Sequence, residues 1–266
     1  MSMHLNHLQP LFEWSSPTVF ISDLHLNGGT RDVDVIKHLR GLLEPKPSSV
    51  KTKDQSAIER IVLLGDLFDF QLGYTQTIYR AHLPFYFFLQ EAINSGVEII
   101  VFTGNHDPDI HPMMTKELNI QVLTKPTLIQ IYGSLARIEH GDLLEYHVLK
   151  RVLCRIVRYP IVCRLARLLP PHLMWMLTSQ WGTKENTLGL YDDKPLLHMI
   201  EQSWPTHSEQ GIDHWIFGHF HQALTWSNPS AHSISPSNPQ VFVLGDQVNL
   251  HTYLQWDNLG PRLHKF

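Results

Sequence analysis

Five times along this chain a short apolar run of the kind that forms a buried strand stops at Asp, Asn or His. The runs are Val19-Phe20-Ile21, ending in Ser22-Asp23-Leu24-His25, and Ile61-Val62-Leu63-Leu64, ending in Gly65-Asp66-Leu67-Phe68-Asp69. Ile99-Ile100-Val101-Phe102 ends in Thr103-Gly104-Asn105-His106-Asp107, Ala136-Arg137-Ile138-Glu139 in His140-Gly141-Asp142, and Trp215-Ile216-Phe217 in Gly218-His219-Phe220-His221. One such ending is ordinary turn chemistry. Five of them demand a fold that brings several strand ends to one place. Strands alternating with helices supply this, because parallel strands present their carboxyl ends along one edge.

The helical signals fit. Val33, Ile36, Leu39, Leu42 and Leu43 recur at helical spacing, and Ile78 to Ser95 reads as a helix closed by Gly96. The segment from Val122 to His140 reads as short strands with a hairpin turn at Tyr132-Gly133-Ser134. Further strands are expected at Trp215–Phe217, Leu224–Trp226, Val241–Leu244, Thr252–Trp256 and Arg262–Lys265, with a Ser- and Pro-rich surface loop from Ser227 to Pro239. The fold class expected is α/β (α+β): a two-layer β-sandwich flanked by helices, one domain over 1–266, with a helical lid inserted at 144–188.

The 266 residues, 43% hydrophobic and 17% charged, describe a globular chain able to bury a large core. A net charge of −4 argues against a general nucleic-acid binder. Cys154 and Cys163 match no zinc or redox spacing, so a reduced, cytoplasmic chain is expected. Residues 1–17 lack a basic start followed by an apolar run, so no signal peptide is expected. No apolar run approaches the roughly 18 residues a bilayer-spanning helix needs.

The strand-end residues are Asp23, His25, Asp66, Asn105, His140, His219 and His221. Carboxylates mixed with imidazoles and one amide suit two divalent first-row cations, Mn2+, Fe2+ or Zn2+. Asp-x-His and His-x-His each put both side chains on one face of an extended segment. Asp66, on the most apolar strand, is the natural shared carboxylate. The alternative for each residue alone is a cap or a hydrogen-bonded surface group; it weakens as the blocks accumulate.

Asp-x-His, Gly-Asp-x-x-Asp, Gly-Asn-His-Asp, His-Gly-Asp and Gly-His-x-His, in that order, resemble the calcineurin-like metallophosphoesterases. That resemblance implies one metal held by Asp23, His25, Asp66 and His221 and another by Asp66, Asn105, His140 and His219. It implies that His106 faces the substrate phosphate and that Asp69 orients His106. The expected chemistry is attack by metal-activated water on phosphorus.

No acidic residue lies between Glu145 and Glu185, whereas Lys150, Arg151, Arg155, Arg158, Arg164 and Arg167 do. Leu149, Val152, Leu153 and Ile156 form an apolar stripe beside them, Pro160 breaks the helix, and Leu173 to Leu177 continue the apolar surface. Such helices can cap the sandwich, lie on an anionic membrane, or cover a lipid-like anionic substrate. Their position after His-Gly-Asp, with the closing block Val241 to Asp246, resembles the UDP-2,3-diacylglucosamine pyrophosphatases of lipid A synthesis. This implies hydrolysis of a nucleotide-linked diacyl sugar to UMP and a lipid monophosphate, Mn2+ as the commonest metal, and a cytoplasmic site peripheral to the inner face of the membrane. Asn105, His106, Thr183, Lys184, Arg155 and Arg158 are the expected substrate contacts. The alternative is a metallophosphoesterase acting on another phosphomonoester or phosphodiester. Oligomeric state is left open.

Overall fold

A computed structural model describes residues 9–44, 57–185, 193–209, 211–227 and 240–266. The strands are β1 (Phe12–Trp14), β2 (Thr18–Ile21), β3 (Arg60–Leu64), β4 (Glu98–Phe102), β5 (Gln121–Leu123), β6 (Thr127–Ile131), β7 (Ser134–Ile138), β8 (His214–Phe217), β9 (Leu224–Ser227), β10 (Gln240–Val243), β11 (Thr252–Asp257) and β12 (Gly260–Lys265). The helices are α1 (Arg31–Gly41), α2 (Leu83–Asn94), α3 (Val148–Val157), α4 (Pro160–Ala166), α5 (Pro171–Glu185) and α6 (Asp193–Glu209).

Side-chain alternation builds the layers. In β2, β3 and β4, Val19, Ile21, Ile61, Leu63, Ile99 and Val101 pack with α1 and α2 residues such as Leu39, Phe85 and Leu89. The intervening Phe20, Val62, Leu64, Ile100 and Phe102 face the second sheet and meet Ile129, Ile138, Ile216 and Phe242. On the far side of that sheet, Trp215, Phe217, Val241 and Val243 pack on Leu196, Ile200 and Trp204 of α6. The result is helices, sheet, sheet, helix, the sandwich expected. One sheet runs β12-β11-β2-β3-β4-β5 and the other β1-β6-β7-β8-β10-β9.

β2, β3, β4 and β5 are parallel to one another, as are β7, β8 and β10, so the carboxyl ends of each set share an edge. The expected hairpin is β6–β7. The helix expected from Ile78 begins at Leu83: Pro84 occupies its first turn, and residues 80–82 form a separate 3-10 turn. Strand β1, three residues long, and helix α6 carry no counterpart among the sequence expectations. The Ser- and Pro-rich loop lies, from residue 228, outside the described residues.

Helices α3 to α5 follow the end of β7 and are fastened by polar contacts to segments after β3, β4 and β7. Arg158 donates from Nε and Nη2 to both carboxylate oxygens of Asp142, and from Nη1 and Nη2 to the Thr103 hydroxyl and carbonyl. Tyr74 and Tyr79 donate to the carbonyls of Leu169 and Pro171 at 2.9 and 2.8 Å. Arg167 pairs with Asp109 at 3.2 Å. Beneath them Leu72, Tyr74 and Cys163 make a small apolar contact. Outward, the picture reverses: twelve of the sixteen exposed large apolar side chains among the described residues lie between Val148 and Leu177. Among the described residues no helix is long and apolar enough to cross a membrane.

Candidate metal centre

The strand ends leave the sheets in an unusual backbone conformation. Asp23, His25, Asp66, His219 and His221 have φ of 56, 47, 50, 70 and 52°. Few non-glycine residues adopt this left-handed region, and each costs on the order of 1 kcal/mol or more unless its surroundings impose it. Here they do. A Cβ at Gly104 would collide with the Asp66 carboxylate, and one at Gly218 with Ser22 and Asp23, so these positions require glycine for close approach. Asp107 accepts the N–H groups of Asp66, Leu67 and Gly104, lashing the ends of β3 and β4 together. Burial, and then the nearby Asp66 charge, push its carboxyl up to about 6.

Two donor clusters result. In the first, Asp23, His25 and His221 each offer an atom within 4.8 Å of the others. His25 Nε2 and His221 Nε2 are 3.2 Å apart, and Asp23 Oδ1 lies 3.8 and 3.7 Å from them. His221 donates from Nδ1 to Asp246 at 3.0 Å, and His25 Nδ1 faces the Asp69 carboxylate at 3.3 Å. His221 thus carries its proton on Nδ1, and both rings turn Nε2 toward each other and toward a carboxylate. Asp23 Oδ1 has no hydrogen-bond partner. Lone pairs so placed repel unless a cation lies among them; donors about 2.0–2.2 Å from one ion sit about 3–3.6 Å apart.

In the second cluster Asp66, His140 and His219 meet. His140 Nε2 lies 3.3 Å from Asp66 Oδ2 and 3.2 Å from Asn105 Oδ1, while its Nδ1 donates to the Leu64 carbonyl at 2.6 Å. His219 Nε2, on a buried side chain, has no hydrogen-bond partner. Burial opposes charge on Asp66, but His140, His106 and His25 override it and hold the carboxyl well below its usual value. Burial likewise opposes charging His140, and Asp66 overrides it, raising the imidazole to about 10. Asp246 is held low against its burial by His221 and by the N–H groups of Asn249 and Leu250. The donor set fits two divalent cations: His140 and His221 each give the hydrogen of their second ring nitrogen away from the cluster.

Asp69 does meet His106, through its backbone. His106 Nδ1 donates to the Asp69 backbone carbonyl at 2.7 Å, not to its carboxylate. The Asp69 side chain instead faces His25 and accepts from Asn27 at 2.9 Å. Arg158, expected at the substrate, has its guanidinium engaged by Asp142 and Thr103. Arg155 is exposed on α3. Thr183 and Lys184 fall in the last turn of α5, and their side chains lie outside what the structure describes. Asn105 and His106 are half-buried beside the clusters. Asp246 and Glu145, both at the centre, are absent from the sequence-derived site; the Leu-Gly-Asp at the end of β10 repeats the Gly-Asp ending of β3 and could have signalled the first.

The family model for calcineurin-like phosphoesterases matches residues 16–223. A Porphyromonas gingivalis protein named UDP-2,3-diacylglucosamine hydrolase is 28% identical, over 83% of this chain and 91% of its own length. Proteins of the same name from Vibrio atlanticus and Pseudomonas fluorescens are 27% and 25% identical, over 86% and 93% of this chain and 88% and 94% of theirs.

Proposed function

The chain belongs to the calcineurin-like phosphoesterase family, and from that premise we propose that it hydrolyses the pyrophosphate bond of UDP-2,3-diacylglucosamine to UMP and 2,3-diacylglucosamine 1-phosphate. The observation that carries this is the meeting of two donor clusters, built from strand ends of both sheets, in a chain whose following helices α3 to α5 expose apolar side chains. The relatives' shared name supports the substrate. Asp23, His25, Asp66 and His221 would hold one cation, and Asp66, Asn105, His140 and His219 the other; Mn2+ suits this mixture of oxygen and imidazole donors. Such a pair, when bound, supplies Lewis-acid charge that acidifies water and stabilises phosphoryl oxygens.

The remaining work falls to the chain. The Asp69 carbonyl fixes the His106 proton on Nδ1, so Nε2 is the atom that meets the substrate phosphate. In its protonated form His106 donates from Nε2 to the leaving oxygen. The His106 N–H also donates to Asp66 Oδ1 at 2.9 Å, which couples substrate contact to the shared carboxylate. Exposed Leu149, Leu165 and Leu168, with Arg155 and Arg164 beside them, suit peripheral contact with an anionic membrane on its cytoplasmic face, where a diacyl substrate resides.

The test is to supply detergent-dispersed UDP-2,3-diacylglucosamine with Mn2+ and identify products by mass spectrometry. UMP plus lipid monophosphate is expected. An intact nucleotide, alongside hydrolysis of a soluble phosphodiester, would overturn the substrate and favour another phosphoester.

A further inference from the structure

The two clusters are unequal in charge. Asp23 serves the first alone and Asp66 is shared, so the second draws on Asp66, the neutral amide of Asn105 and two imidazoles. Beside it stands one carboxylate outside the five sequence blocks. Glu145, on the short connection between His-Gly-Asp and α3, has a side chain 4% exposed. Its Oε1 accepts the His147 N–H at 3.1 Å, which fixes the carboxylate at the head of α3. Its Oε2 reaches 3.5 Å from His219 Nε2. That nitrogen is buried and Glu145 is the acidic group it faces, so at this spacing Oε2 and Nε2 are placed to share one cation. The separation matches the 3.3 Å between His140 Nε2 and Asp66 Oδ2 in the same cluster. Lys150 Nζ lies 3.2 Å from Oε2 on the solvent side and offsets the added negative charge there.

We propose that Glu145 is an additional carboxylate ligand of the second cation, giving each of the two cations a carboxylate of its own besides the shared one. The inference rests on the dinuclear reading above. It also makes the lid's root part of the metal centre, since the ligand sits three residues before α3 begins.

The test is a calorimetric titration of Mn2+ into the full chain after chelator treatment, comparing Glu145→Gln and Glu145→Asp with the parent. The expected result is two sites in the parent, with one weakened 10- to 100-fold in Glu145→Gln and the other within twofold. Glu145→Asp, with a shorter arm, should fall between. Unchanged affinity at both sites overturns the proposal, and so does equal weakening of both, which marks a general loosening of the cluster. Circular dichroism confirms that each variant is folded. Asp23→Ala separates the two readings: if it leaves the parent's stoichiometry unchanged, the dinuclear centre itself fails, whatever Glu145 does.

Discussion

At the sheet edge the buried groups are carboxylates and imidazoles, whereas on the lid the exposed groups are leucines, valines and isoleucines. The two regions differ in what holds them. Each strand end is fixed by its neighbours: Asp107 ties β3 to β4, Asp246 backs His221, and glycines let the chains close to contact. The strained backbone persists because the double-layer core beneath leaves it no alternative. Helices α3 to α5 rest on small apolar contacts among the described residues, around Leu72 and Cys163 and at Trp175, with polar support from Arg158, Arg167, Tyr74 and Tyr79. One region spends its rigidity on holding carboxylate and imidazole donors together; the other keeps its apolar side toward solvent.

If polar latches carry the lid, breaking the most buried one should have the largest effect. Arg158→Met strands Asp142, which is 1% exposed, without a counter-charge. Loss of one partner of a buried pair costs about 3–5 kcal/mol. Denaturant unfolding should show that loss, and limited proteolysis should cut within 144–178 first. Adding Asp142→Leu should restore much of the stability, because no buried charge then remains. A lid that stays protected in the single variant would break the comparison.

The seam between the two regions has its own pH signature. His82 is 1% exposed, stacks on Phe68 at 3.9 Å, faces Trp175 of α5 at 5.8 Å, and neither ring nitrogen has a hydrogen-bond partner. Desolvation lowers it to about 3. The folded state therefore refuses a proton that the unfolded chain takes near its ordinary value of 6.5. Stability from this group is complete above that value and declines as pH falls from 6.5 toward 3. The loss by pH 5 is about 2 kcal/mol. Unfolding free energy measured from pH 7 to 5 should fall accordingly, and His82→Leu should flatten that part of the curve.

What the sequence made legible was local. Alternation in β2, β3 and β4 named both faces of the sheet, and each strand wrote its donor at its own end. What stayed hidden was carried by pairs far apart in the chain. Arg158 meets Thr103 across 55 positions, and nothing near Arg158 distinguishes it from Arg155. Asp69 was legible as the residue beside His106, but not that its backbone carbonyl makes the contact while its carboxylate faces His25. Helix α6 was recoverable: Leu196, Ile200 and Trp204 fall four residues apart and all are buried. The positive φ values were not legible: Asp and His enter that region more readily than most side chains, but nothing near these positions marks which of them do.

The Asp69 exchange of roles gives the next effect in size. Asp69→Asn removes the charge behind His25 while leaving the carbonyl that orients His106. The variant should weaken cation binding or activity by about 10- to 100-fold, the range for groups that support a ligand. Because His106 keeps its partner, the pH dependence of the remaining activity should keep its shape. A changed profile would mean that the carboxylate does reach His106 when substrate is bound.

The smallest effect on stability, and the sharpest on function, belongs to the lid's outer face. Leu168 is 78% exposed and Leu149 74%, so a charge at either position disturbs no packing. Leu168→Glu with Leu149→Glu should shift unfolding by no more than about 0.5 kcal/mol per site. Were these residues merely incidental surface, nothing else would change. A face meant for anionic lipid behaves differently: two carboxylates both remove apolar contact and repel the surface. Co-sedimentation with vesicles of phosphatidylglycerol and phosphatidylethanolamine should then fall several-fold, and turnover of a vesicle-borne diacyl nucleotide with it. Hydrolysis of a soluble phosphodiester should hold constant, because the donor clusters at the sheet edge are untouched. Equal loss on both substrates would show that the lid's exposed side is coupled to the centre rather than to lipid, and the two regions would have to be treated as one.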